Sequence, residues 1–265
     1  MARAMIHGLL RRGFGGAQVR VGEPLAAQRD ALQRDFGVVA LADNHAAVRD
    51  ADLVVLAVKP QYAIELLAGL CPTMSHGRTL LLSIAAGLRV GDLASCCPTL
   101  PIIRAMPNRA ALVGMGATAL YAPTAIGNAQ RALAEQICAA ASSIVWVQQE
   151  SDLDIVTALS GSGPAYFFQL AEHLAAAAVA EGMDAAIAER LARQTLRGAG
   201  ALAGGETSLA AEREAVTSKG GTTAAALAAL QAGGFDKLIA AAVAAARQRS
   251  AELAAQFGRP DTDRH

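Results

Sequence analysis

Apolar positions fall into two regimes along the chain. Val19 to Val21, Leu53 to Val58 (Leu-Val-Val-Leu-Ala-Val) and Thr79 to Ile84 (Thr-Leu-Leu-Leu-Ser-Ile) are short runs, apolar on both faces and separated by helix-like segments. Pro101 to Arg104, Ala117 to Tyr121 and Ile144 to Val147 continue the series. Strands of this kind, spaced by crossover helices, predict a parallel sheet covered on both sides. From Ser151 onward no strand pattern remains, and 33 of the 63 alanines lie beyond residue 150. Alanine without β-branched neighbours favours helix, so the second half is predicted to be almost wholly helical. Local punctuation supports this: Pro164 at an early helical position, Asp184 as a cap, Gly204-Gly205 as a stop, a helix from near Thr222 to Gly233-Gly234, and a last one from about Phe235 to Phe257.

The resulting fold class is α/β, a Rossmann-like parallel-sheet domain over 1–149 followed by an all-α domain over 150–265. Small residues make shallow helix faces that approach closely, so the helical half is expected to form a dimer. The opening segment, Met1 to Leu10, reads as a helix, with a turn at Gly13 to Gly16. In a dinucleotide-binding unit, a strand and a G-x-G-x-x-G/A turn precede that helix, and the turn's amides hold a pyrophosphate. The strand and the first two glycines are not in this sequence, with Ala2 matching only the third small position. The expectation is an N-terminally truncated first domain with a misplaced start.

Composition narrows the classes. The 265 residues carry 23 Lys plus Arg against 23 Asp plus Glu, and 53% are hydrophobic. This balance speaks against nucleic-acid or membrane-surface binding by bulk charge, and against disorder. No apolar run has the length of a spanning helix. Cys71, Cys96, Cys97 and Cys138 lack C-x-x-C or Cys/His spacing, which predicts reduced thiols, no metal and a cytoplasmic protein. His7, His45, His76 and His173 show no partner pattern.

Two turns carry candidate chemistry. Val216-Thr-Ser-Lys-Gly-Gly-Thr-Thr-Ala-Ala-Ala-Leu227 places glycines and threonines at the entry of an Ala-rich helix, where exposed amides and hydroxyls suit a small anion such as a carboxylate. An ordinary N-cap with a flexible entry fits the same residues. Ser160-Gly-Ser-Gly-Pro164 is a second such turn, which reads equally well as structural punctuation.

Taken together, the blocks Ala57-Val-Lys-Pro60, Ala85-Ala-Gly87, Ile103-Arg-Ala-Met-Pro-Asn108, Leu159-Ser-Gly-Ser-Gly-Pro-Ala-Tyr166, Gly220-Gly-Thr-Thr223 and Gly233-Gly-Phe235 closely resemble the pyrroline-5-carboxylate reductases of proline biosynthesis, in the same order and over nearly the whole chain. The resemblance implies hydride transfer from C4 of NADPH or NADH to C5 of 1-pyrroline-5-carboxylate, yielding L-proline, with positioning supplying most of the acceleration. It implies that amides around Gly221, Thr222 and Thr223 hold the substrate carboxylate with Ser218 nearby. Thr223 is the catalytic candidate, bonding the ring nitrogen, and Glu150 lies near the ring. Cofactor-binding positions are Asn44, Ala57, Val58, Lys59, Pro60, Ile84, Ala85 and Ala86, with Asn108 toward the nicotinamide. It also implies a homodimer, often assembled further as rings of dimers such as a decamer.

Two further departures from the family pattern stand out. Gly22-Glu23 ends the first strand, where Glu23 favours the free 2′-hydroxyl of NADH, while no Arg follows at once to accept the 2′-phosphate of NADPH. Asn108-Arg-Ala110 replaces the usual Asn-Thr-Pro. Two competing readings are a non-catalytic oligomeric binding protein lacking a competent cofactor site, and a related dehydrogenase acting on another small acid.

Overall fold

The computed structural model describes residues 1–74 and 78–258. His76 lies outside the described residues. The chain packs as two units: Met1–Gly161 together with the chain from Ala246, and Ser162–Ala245.

The first unit runs α1 (Ala2–Arg11), β1 (Arg20–Gly22), α2 (Ala26–Phe36), β2 (Val39–Leu41), α3 (Asn44–Val48), β3 (Leu53–Leu56), α4 (Pro60–Leu70), β4 (Leu80–Ser83), α5 (Val90–Cys96), β5 (Ile102–Pro107), β6 (Gly116–Tyr121), α6 (Asn128–Ala139), β7 (Ser142–Trp146) and α7 (Asp152–Val156). The expected α/β architecture is present, with a correction to its sheet. The strands form two sheets, β1-β2 and β3-β4-β5-β6-β7, and β6 runs antiparallel to β5 while every other pair is parallel. A three-residue strand such as β1 carries little pattern, and β2, equally short, is not predicted by it.

β4 lies between β3 and β5, and all four of its residues are buried. Successive side chains of a strand point to opposite faces. Leu81 therefore joins Leu67 and Leu70 of α4 and Leu93 of α5 on one side. Leu80 and Leu82 join Met5 and Leu9 of α1 and Ile137 of α6 on the other. Each fully buried leucine contributes roughly 2 kcal/mol of transfer free energy. On α1, Ile6 turns instead toward Leu32 of α2 and toward Val38 and Ala40. Gly8 lets this helix approach closely, since a Cβ there would lie 2.5 Å from the Ala140 carbonyl oxygen.

The cysteines require a second correction. Cys71, at the end of α4, and Cys97, at the end of α5, are joined by a disulfide with Cα atoms 5.7 Å apart. Their 26-residue separation matches no motif; packing of two helix ends brings them together. Cys96 and Cys138 are free, and burial pushes the Cys138 thiol up to about 12.

The second unit contains α8 (Gly163–Ala180), α9 (Ala185–Leu202), α10 (Leu209–Ala215), α11 (Thr222–Ala232) and the first half of α12, a helix spanning Phe235–Phe257. Helices α8 and α9 form a hairpin whose turn uses Gly182 at φ +100°. The Asp184 carboxylate accepts from the amides of Ala186 and Ile187 at 3.0 and 3.1 Å, the expected cap. The two predicted glycine stops also hold: α9 ends at Leu202, and α11 ends before Gly233-Gly234. Among the described residues, no single helix is long and apolar enough to cross a membrane.

Candidate functional site

Parallel strands bring their carboxyl ends to one edge of a sheet, where dinucleotides bind in open α/β folds. At the end of β3, Ala57 and Lys59 are exposed and Val58 is half-buried; Pro60 opens α4, its missing N–H being harmless there. At the end of β4, Ile84 is half-buried, Ala85 buried and Ala86 exposed. Small exposed residues at two neighbouring strand ends leave room for a flat ligand, and Lys59 makes no ion pair among the described residues. These residues therefore fit a dinucleotide lying along this edge.

Asn44, the first residue of α3, packs beside the end of β1, with its Oδ1 so near the Gly22 Cα that a Cβ there would approach it to 2.1 Å. The following turn is tightly organised. The Glu23 carboxylate accepts from the Leu25 amide at 3.0 Å, and Arg29 donates through Nη1 to the carbonyls of Glu23 and Pro24 at 2.9 and 2.7 Å. A cation thus lies in this turn although none follows Glu23 directly in sequence. Arg29 is invisible among the immediate neighbours of Glu23 because the first turn of α2, and not the strand end, delivers it.

Glu150 lies immediately before α7, and its Oε1 accepts from the Val90 amide at 2.7 Å and from Arg104 Nη1 at 2.9 Å. Arg104, on β5, sits inside a family motif, but nothing in the sequence points to this role for it. Glu150 Oε2 makes no hydrogen bond among the described residues, so only one carboxylate oxygen is committed to the protein. Asn108 is buried with both ends of its amide engaged: Nδ2 donates to the Ser160 carbonyl, and Oδ1 accepts from the Ala117 amide, each at 3.1 Å. Ser160 belongs to a π-helical turn, Thr157–Gly161, which ends the first unit. Such single turns interrupt α-helices often at functional sites. A Cβ at Gly161 would lie 3.0 Å from the Met106 methyl, the flexible end of a side chain on β5. A shallow concavity of about 390 Å³ lined by Val90, Ala94, Leu100, Ile126 and Gln130 contains none of the candidate residues.

In the second unit, the turn before α11 has the expected form. Gly220 adopts φ +73°, a conformation glycine takes at no steric cost. Gly221 is the N-cap, with its amide on the Ser218 carbonyl at 3.0 Å. A Cβ on Gly221 would lie 2.3 Å from Ser218 Oγ and 3.2 Å from the Ser218 carbonyl oxygen, so any larger residue there pushes the Ser218 hydroxyl out of its place in the turn. Among the described residues no side chain caps α11, and its first turn contains no acidic residue. The first-turn amides of Thr222 and Thr223 therefore face outward at the positive end of an 11-residue helix, and Thr223 is half-buried beside them. The structure thus brings together Ser218, Gly221, Thr222 and Thr223 in one turn. Of the histidines, His45 Nδ1 is 2.6 Å from Thr73 Oγ1, and His7 packs near the Phe36 ring.

Residues 1–87 match a family model described as NADP oxidoreductase, coenzyme F420-dependent. With the strand-edge geometry, this defines the class: a nucleotide-dependent oxidoreductase. Residues 150–253 match the model for pyrroline-5-carboxylate reductase dimerisation. The chain is 41% identical to a pyrroline-5-carboxylate reductase of Pseudomonas aeruginosa, with 97% of this chain and 95% of the relative covered. The corresponding protein of Synechocystis is 40% identical, with 96% and 94% covered. Among solved structures, the Coxiella burnetii reductase superposes with a TM-score of 0.91 at 35% identity over 95% of this chain and 94% of that one. A Plasmodium falciparum reductase solved with NADP bound superposes at 0.80 with 26% identity, again over 95% and 94%. The chain belongs to the pyrroline-5-carboxylate reductase family.

Proposed function

We propose that this chain reduces 1-pyrroline-5-carboxylate to L-proline with NAD(P)H, the last step of proline biosynthesis. The observation that carries the reading is the turn at Ser218–Thr223, where the glycine at 221 lets the Ser218 hydroxyl lie beside the uncapped start of α11, in a chain whose relatives along nearly its whole length bear this name. When bound, the reduced nicotinamide supplies the hydride. The amides around Gly221, Thr222 and Thr223, with Ser218 beside them, hold the substrate carboxylate. The Thr223 hydroxyl bonds the ring nitrogen, orients the C=N bond and holds the proton that this nitrogen carries in the product. Positioning of this kind suffices for most of the acceleration, since the imine needs no strong acid.

Cofactor contacts fall to Asn44, Ala57, Val58, Lys59, Pro60, Ile84, Ala85 and Ala86, and Glu150 belongs to the substrate-binding set. By function the chain divides into a dinucleotide-binding domain at 1–149 and a substrate-binding and dimerisation domain at 150–265. The matched dimerisation model over 150–253 supports this division. The working form is a homodimer, assembled further as a ring of dimers in the manner of a decamer, and the protein acts in the cytoplasm. The relatives named above lend no support to the non-catalytic alternative.

The test is consumption of reduced nicotinamide in the presence of pyrroline-5-carboxylate, run with NADH and NADPH in parallel, with proline identified as product. Turnover with either cofactor is expected. Absence of proline with both, from a folded protein, overturns the reading.

A further inference from the structure

The loop between β4 and α5 carries Ile84, Ala85 and Ala86, and it is gripped from two directions. At its far end the Val90 amide is held by Glu150 at 2.7 Å, and the Arg89 amide by Asp92 at 2.8 Å. At its middle, Gly87 has φ +78° and lies directly against the last turns of α12. A Cβ there would stand 3.2 Å from Phe257 Cδ2, 3.4 Å from the Leu253 carbonyl carbon and 3.5 Å from the Ala254 nitrogen. Phe257 continues into the apolar cluster containing Leu81, Leu88 and Leu93. This end of α12 is itself anchored. Ser250 is buried, and its hydroxyl donates to Asp154 Oδ1 on α7 at 2.7 Å; Ala254 is buried one turn later.

We infer that the last turns of α12 are a positioning element for the cofactor, with Phe257 and Ser250 as its working residues. The physical argument is one of conformational freedom. A six-residue loop containing a left-handed glycine, Ile84–Arg89, has many alternative courses in solution, and fixing each residue's backbone costs roughly 1–2 kcal/mol. A ligand that must order such a loop binds more weakly than one meeting it already set. α12 holds Gly87 from one side while Glu150 and Asp92 hold the loop's end from the other. Ala85 and Ala86 are thus presented in a fixed course between the end of β4 and the anchored Gly87. Nothing in this arrangement touches the reacting atoms, so Phe257 and Ser250 position and do not catalyse. The inference rests on the reading of Ile84–Ala86 as cofactor-binding.

The experiment is equilibrium titration of the full chain with NADPH, followed by the nucleotide's own fluorescence, alongside steady-state kinetics and thermal unfolding. The variants are Phe257→Ala, Phe257→Leu, Ser250→Ala and Ala86→Asp. Ala86→Asp, which puts a charge on the proposed contact surface, is expected to weaken NADPH binding at least tenfold. Phe257→Ala is expected to raise the NADPH dissociation constant about tenfold and Ser250→Ala about threefold, with the KM for pyrroline-5-carboxylate unchanged. Phe257→Leu is expected to restore most of the affinity. Unchanged NADPH affinity in Phe257→Ala and Ser250→Ala, with Ala86→Asp impaired, overturns the positioning role and leaves the cofactor reading intact. Indifference of Ala86→Asp overturns the cofactor reading and the inference with it. A fall in melting temperature accompanied by equal loss of kcat and rise of both KM values identifies plain destabilisation and also overturns the inference.

Discussion

The two units treat apolar surface in opposite ways. In the first, Leu67, Leu80, Leu81, Leu82, Leu93, Ile103 and Leu120 are essentially inaccessible to solvent, filling both faces of one sheet. In the second, the fully shielded positions of α8 and α9 are Gly163 and Ala188, while Phe167, Phe168, Leu174, Ile187 and Leu191 are each more than half exposed. Alanine has little surface to bury, and the large side chains of these helices point outward. Monomeric soluble proteins rarely expose contiguous patches of this sort, which mark association surfaces. One unit closes its core on itself, whereas the other leaves large apolar side chains in the open. The contrast explains why charge and hydropathy totals say little about this protein: they average a finished domain with an unfinished one.

The comparison is broken most severely by charging the outward face. Ile187 and Leu191 are one turn apart on α9, so Ile187→Glu with Leu191→Glu puts two carboxylates into the proposed dimer surface. Loss of the dimer by analytical ultracentrifugation and at least a hundredfold loss of turnover are expected, while the first unit retains its circular dichroism. A dimer of wild-type mass would remove this face from the interface. Next comes Gly221→Ala. The added methyl meets Ser218 Oγ and disturbs the carboxylate cradle, so kcat/KM for pyrroline-5-carboxylate is expected to fall about thirtyfold, which is roughly 2 kcal/mol. NADPH affinity, measured by titration, stays as it was, because the change lies in the second unit only. The Arg104–Glu150 pair then separates packing from charge. Side-chain exposure is 11% for Arg104 and 23% for Glu150. Glu150→Gln strands the more buried cation and is expected to cost about 2 kcal/mol in denaturant unfolding, whereas in Arg104→Met the carboxylate recovers water and the cost is about 1 kcal/mol. Equal losses would show that the pair's burial does not decide its worth.

Legibility in the sequence follows from the range of the interaction involved. The helix boundaries at Asp184, Leu202, Thr222 and Phe257 depend on neighbours within a turn, and caps and glycines mark them. The runs at Leu53, Thr79 and Pro101 are readable because a central strand is apolar on both faces. β2, three residues long, lacks enough repeats to show a period, and the reversal of β6 leaves no trace in a run of side chains. The same division holds at the site. Ser218–Thr223 is local and visible as a turn, while Arg104 meets Glu150 across 46 residues and Phe257 meets Gly87 across the whole helical half. The Cys71–Cys97 bond belongs with these, created by packing of two helix ends.

The smallest expected effect concerns the turn after β1, which carries an acid and a base side by side. Glu23 engages the Leu25 amide, and Arg29 reaches the carbonyls of Glu23 and Pro24. An acidic residue at this point accepts bonds from ribose hydroxyls and repels a 2′-phosphate. Both groups face water on one side, so a change of one charge at about 4 Å alters the balance by roughly 1 kcal/mol. Glu23→Gln is accordingly expected to shift the ratio of kcat/KM for NADPH over NADH about fivefold toward NADPH, and Arg29→Ala to shift it the opposite way. Raising the salt concentration shrinks both shifts, because exposed charges are screened beyond roughly 8–10 Å at physiological ionic strength. Shifts of the same sign in both variants would mean that the turn's shape, rather than its charge, sets the preference. Neither variant alters the helical unit, so sedimentation of both like the wild type confines the effect to the sheet unit.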